Sequence, residues 1–257
     1  MRLLHPIGRW LARRLAAPRP ATHVATSRMN RLATTLRKGD VLLVEGTSRF
    51  ATAIRYITQS TWSHSALCVA DATTAEDGRP LLIEADVVDG VRLLPLAAYA
   101  HAHTRICRPV GLRGDEIDAL VAYARGRLGQ QYDLRNIIDL ARYLLAEPPV
   151  PDRYRRRLLA LGSGEPTRAI CSSLIAAAFE SVRYPILPDI ELTGQEGGAD
   201  APLREILHIR DSRLYAPRDF DTSPYFRIIK PTLDNGFDPH ALVWAHTLPA
   251  TRGEAGT

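Results

Sequence analysis

Three side chains far apart in the chain have types and settings suited to nucleophilic acyl chemistry. Cys171 stands where an apolar period of about 3.6 residues begins, carried by Leu174, Ile175, Ala178 and Phe179. A thiol at a helix N-terminus meets unsatisfied N–H groups and the positive end of the macrodipole, which favour the thiolate, and the same N–H groups can hold an oxyanion. The position equally suits an apolar cysteine on a buried helix face. Of the eight His, His64 is the best base, because TWSHSAL (61–67) leads into a strand that can aim an imidazole. Glu84 then lies in the apolar strand Leu81–Ala85, where a carboxylate must be paired or hydrogen-bonded. An imidazolium would serve as that partner and be oriented by it. Asp86 shares the parity of Glu84 and rivals it, and an Arg partner would serve either acid.

The elements that must carry these residues follow from punctuation and period. Lys38-Gly39-Asp40 is a turn feeding the strand Val41–Val44. Phe50–Thr58 reads as a short helix, with strands over Ser65–Ala70, Leu81–Ala85, Val91–Leu94 and Thr104–Pro109, and Asp89-Gly90 favours a hairpin. Helices are expected over Asp115–Leu128, Leu134–Leu145 and Cys171–Val182, the last stopped by Pro185 and Pro188. The result is an α+β chain, a small antiparallel sheet packed against helices. A proline-rich break at 147–151 and the basic helix Tyr154–Leu161 mark a helical insertion near 134–164. The tail reads as mostly loop, with a final strand in Pro224–Ile229. The expected division is an arm over 1–37, a body over 38–230 and a tail over 231–257.

Charge is distributed unevenly. The net +5 hides nine basic and no acidic side chains in residues 1–38, which leave 24 bases against 28 acids in the rest. A basic excess confined to a terminal arm is not the footprint of a nucleic-acid binder. Placed on a helix, Leu3, Leu4, Ile7, Trp10, Leu11 and Leu15 share one arc and Arg2, Arg9 and Arg13 oppose it. Residues 2–15 therefore fit an anionic membrane surface, and equally fit docking on the protein's own body or an organellar transit peptide. The arginines interrupt any apolar stretch long enough for a standard secretory signal, so a cytoplasmic or peripheral-membrane location in a bacterium is expected over secretion. The three cysteines have no CxxC spacing or clustered His, which argues against a disulfide scaffold and a zinc site. No cofactor is expected.

A resemblance adds to this reading. The pieces KGDVLLVEG (38–46), TWSHSALCV (61–69), LLIEADVVDGVRLLPL (81–96), LGQQYD (128–133), ICSSLIAAAF (170–179) and YAPRDFDTSPYF (215–226) stand in an order similar to the YiiX/YebB-like group of the NlpC-like superfamily. That group has a circularly permuted papain-like fold, with the His strand before the Cys helix. The resemblance implies Cys171 as nucleophile, His64 as general base and Glu84 as the orienting third member. It implies hydrolysis of amide or thioester bonds in acyl, peptide or lipid-linked substrates. Trp62, Tyr56, Tyr132 and Ser172 are expected at the substrate pocket. The lecithin:retinol acyltransferase-like branch shares the permuted order, but its Asn-Cys-Glu-His-Phe motif does not stand at 170–174, so acyl transfer or phospholipase-like chemistry is a lesser alternative. A different class, an idle binding module recruited to membranes by the arm, competes with the enzyme. Flotation with anionic vesicles, comparing the full chain with one starting at Asn30, tests the arm: reduced binding of the shorter chain is expected, and equal binding refutes recruitment through residues 2–15.

Overall fold

The computed structural model describes residues 14–17, 25, 27–131, 170–193, 204–208 and 211–244. Most of the expected arm helix, the helices at 134–145 and 154–161, and Tyr132 lie outside them. In chain order the elements that matter are α1 (Met29–Thr35), β1 (Val41–Glu45), α2 (Arg49–Thr58), β2 (His64–Ala70), β3 (Leu81–Asp86), β4 (Gly90–Pro95), β5 (His103–Pro109), α3 (Gly114–Arg125) and α4 (Ile170–Ser181). They are followed by β6 (Asp189–Thr193), β7 (Arg204–His208), α5 (Pro217–Thr222), β8 (Phe226–Ile229) and α6 (Pro231–Asp234).

Six strands form one open antiparallel sheet in the order β4-β3-β2-β1-β5-β8. The continuous apolar run of β1 is explained by its place at the centre, where all five residues are buried and both faces are covered. On one face Leu43, Leu67 and Ile83 pack against α3 and α4 through Leu120, Ala124, Ile175 and Phe179. On the other, Leu42, Ala66, Leu82 and Ile106 pack against Leu32 and Leu36 of the α1 segment. This is the α+β class expected, with helices on an antiparallel sheet.

Several boundaries differ for physical reasons. Leu32 and Leu36 are only 2% exposed and Asn235 donates to Thr35 Oγ1 at 2.8 Å, so residues assigned by composition to the arm and the tail are packed into the body. α3 ends at Arg125 rather than Leu128, because the chain tightens after Gly126, with Arg127 N–H returning to Ala124 O and Leu128 N–H to Arg125 O, three residues back and both at 3.1 Å. The tail expected to be mostly loop holds the hairpin β6–β7 and the helix α5; the period-2 alternation of Asp189-Ile190-Glu191-Leu192-Thr193 was the available signal.

One buried ion pair ties the start of the sheet together. Arg108 on β5 grips Asp40 with two bonds of 2.8 Å and donates to Thr35 O at 2.7 Å, while Asp40 also accepts from Arg37 N at 2.8 Å. Removing one partner leaves a buried charge uncompensated. Arg108→Met should therefore destabilise the protein by about 3 kcal/mol, read as a lower urea midpoint; an unchanged midpoint would show that the pair is neutral to folding.

Candidate active site

His64 is the first residue of β2 and is aimed by what precedes it. The segment feeding it is fixed by Ser63, whose N–H donates to Val44 O at 3.1 Å and whose Oγ accepts from Gly46 N at 2.8 Å. Gly46 is required there, since a Cβ would stand 2.8 Å from that of Ala51. One residue earlier, Trp62 Nε1 donates to Asp221 Oδ2 at 3.0 Å, and Arg105 binds both oxygens of Asp221 at 2.6 and 2.7 Å. The Trp62 ring stacks on His103, 5.1 Å away centre to centre, and lies 5.0 Å from the Arg105 guanidinium. These contacts bolt the entrance of β2 to α5.

His64 and Glu84 meet. Their side chains project from the same face of the sheet, and Nε2 of His64 lies 2.5 Å from Oε2 of Glu84. The Glu84 side chain is 4% exposed. Burial by itself would raise its pKa; hydrogen bonds and charge from His64, then Tyr99 and Arg92, overcome that and hold it down at about 2, against an ordinary 4.5. The acid is thus kept as a carboxylate at the ring's Nε2. Asp86, the rival, is committed elsewhere: its Oδ1 accepts from Val88 N at 2.7 Å and Asp89 N at 2.9 Å in the β3–β4 turn.

Cys171 is the second residue of α4, so its place in the first turn of a helix is as expected; its side chain lies outside the described residues. The far end of α4 is anchored at β5 and β8, where Tyr184 Oη accepts from Val110 N at 2.7 Å and donates to Tyr225 O at 2.6 Å. The helix packs on β2 and β3. It covers the sheet face opposite the one from which His64 and Glu84 project. His64 is the first residue of its strand.

The other cysteines are set apart chemically. Cys68 and Cys107 are buried and free of disulfides, and burial pushes both thiols far above their ordinary range, so neither supplies a thiolate.

A cavity of about 530 Å³ opens beside the pair, lined by His64, Glu84, Arg92 and Tyr99 and walled by apolar side chains including Val44, Phe50, Ile54 and Leu94. Three of the residues expected at the pocket, Trp62, Tyr56 and Ser172, do not line this cavity. Trp62 is 3% exposed and belongs to the core, because its ring is consumed by the Asp221, Arg105 and His103 contacts. Tyr56 is exposed and absent from the cavity wall, and Ser172 is fully buried within α4. Sequence reading missed Arg92, Tyr99 and Asp221. Arg92 was within reach of it, since the hairpin places Arg92 directly across from Glu84; Tyr99 and Asp221 have no local signal. Among the described residues no group of three or more His, Cys, Asp or Glu is arranged to hold a metal ion, and no helix is long and apolar enough to cross a membrane.

Residues 35–143 match the family model described as permuted papain-like amidase enzyme, YaeF/YiiX, C92 family. The chain is also similar to a crystal structure of the metalloprotein yiiX from Escherichia coli O157:H7, at 18% identity over 76% of this chain and 96% of that one, with a TM-score of 0.45. No curated protein matches.

The depressed Glu84 pKa has a consequence for stability. A carboxyl held below its unfolded value stabilises the fold at pH above about 4.5 and loses that contribution as pH falls toward about 2. Asp71, also near 2, titrates in the same window. Between pH 4.5 and 2 the wild type should therefore lose more stability than Glu84→Gln, measured by denaturant unfolding at each pH; parallel curves would show that Glu84 is not held ionised.

Proposed function

We propose that this chain, whose residues 35–143 match a family of permuted papain-like amidases, is a cysteine hydrolase in which Cys171, His64 and Glu84 act together. The observation that carries the reading is the contact of His64 Nε2 with a buried, ionised Glu84 at 2.5 Å. An imidazole held through Nε2 has its tautomer and plane set by the carboxylate, which is the role of the third member of a catalytic triad. The bond that a base makes to its nucleophile then falls to the other ring nitrogen.

In the proposed reaction His64 takes the proton of the Cys171 thiol and the thiolate attacks an acyl carbon. Negative charge moves to the carbonyl oxygen, where backbone N–H groups of the first turn of α4 stabilise it. The leaving nitrogen or sulfur departs with a proton from His64. Water, deprotonated by the same imidazole, cleaves the thioester and regenerates the thiol. Glu84 stays a carboxylate throughout and stabilises the imidazolium. The apolar wall of the neighbouring cavity supports an acyl substrate with a hydrocarbon portion, on a lipid-linked or apolar peptide compound.

Cys171→Ala should reduce turnover of amide and thioester substrates to background, while Glu84→Gln should be on the order of a hundredfold less damaging, because an orienting group contributes less than the nucleophile. Iodoacetamide should alkylate Cys171 selectively well below pH 8, since burial keeps Cys68 and Cys107 protonated. Full activity of Cys171→Ala, or labelling with no preference for Cys171, removes the hydrolase reading and favours an idle binding module.

A further inference from the structure

Glu84 accepts from more than His64. Tyr99 Oη donates to Oε2, the oxygen that already faces the imidazole. Arg92 Nε donates to Oε1 at 2.9 Å, and its Nη2 stands 2.8 Å from the same oxygen. Arg92 is itself tethered by Asp89 and by Asp86, whose Oδ2 is 3.4 Å from Nη2. Each partner comes from a rigid source. Glu84 and Arg92 are directly opposed across the β3–β4 ladder, so they share a face by register. Tyr99 closes a 3₁₀ turn, Leu96–Tyr99, whose first residue is 2% exposed and whose Leu96 N–H donates to Pro80 O at 2.9 Å.

From this arrangement we infer that Arg92 and Tyr99 are positioning residues: they clamp the Glu84 carboxylate from both oxygens so that it can only orient and charge-stabilise His64 and cannot rotate away. The inference rests on the hydrolase reading for its effect on rate, but the clamp itself is a property of the folded protein. A carboxylate bound by His64 alone could turn about its terminal bond. With Oε1 held by a guanidinium and Oε2 by a phenol, that freedom is lost, and the ring plane of His64 is fixed in consequence. The Tyr99 and His64 rings, 6.2 Å apart centre to centre, also limit how far the imidazole can tilt.

The test uses the full chain with Tyr99→Phe and Arg92→Gln, p-nitrophenyl and thioester acyl probes, and proton NMR of the ¹⁵N-labelled protein. Each substitution is expected to lower kcat roughly tenfold with KM within about twofold, the signature of a misaligned group rather than a lost binding contact. The His64 Nε2–H proton, expected downfield in the wild type, should move upfield or broaden in both variants. Arg92→Lys, which restores charge without the fork, should recover only part of the effect. Thermal unfolding identifies any variant that fails to fold, and in that event Tyr99→Phe, which removes one oxygen, decides alone. If the wild type is inactive but the proton signal is present and shifts in the variants, the clamp stands and the hydrolase reading falls. An unshifted signal together with unchanged kcat overturns the clamp.

Discussion

The candidate site depends on one buried carboxylate remaining charged. Glu84 sits in a strand whose neighbours Ile83 and Ala85 are fully or almost fully buried, a setting that opposes ionisation. Three donors from three different segments reverse that preference, and their order matters: His64 dominates, with Tyr99 and Arg92 adding to it. The carboxylate is thereby both an anion and a fixed geometric reference. An imidazole bonded to it inherits its orientation, so the precision with which His64 is placed is set by how firmly the acid is held.

The sheet supplies that firmness. With helices on both faces of β1 and its neighbours, the strands have few ways to shift, and His64 is placed at the end of β2 where the covered part of the sheet gives way to a cavity. The pair is thus partly shielded yet reachable, His64 more exposed than Glu84. The entrance to β2 is secured independently by the Trp62–Asp221–Arg105 cluster, which links the strand that carries His64 to α5 and so to a part of the chain 159 positions from Trp62. The segment YAPRDFDTSPYF thereby acquires a physical role. Its Asp221 buttresses the approach to His64 without touching the cavity.

Much of the fold was legible in local pattern. The run Val41–Val44, the turn at Asp89-Gly90 and the apolar period after Cys171 all correspond to elements close to where residue types place them, because each is specified by neighbours in sequence. β6 carried an alternation signal, whereas the true extents of arm and tail did not, since α1 gains its place by packing on the sheet and Thr35 by accepting from Asn235, 200 positions away. Aromatic type misled at the pocket: Trp62 and Tyr56 have the composition of a binding wall, but burial consumed one and solvent took the other. The cavity wall instead uses Val44, Phe50, Ile54 and Leu94, whose side chains advertise nothing beyond being apolar.

By itself the sequence determined the α+β class, singled out Cys171, His64 and the two acids Glu84 and Asp86 as candidates, and set the need of a strand-borne carboxylate for a partner, all of which follow from residue type, period and the cost of burying charge. Only the tertiary structure decided which acid meets the imidazole, because Asp86 shares the parity of Glu84 and differs in being spent on its own turn. It alone brought Tyr99 to Glu84 and Asp221 to Trp62, since side-chain contacts between distant segments are set by sheet register and helix packing, for which no local pattern exists.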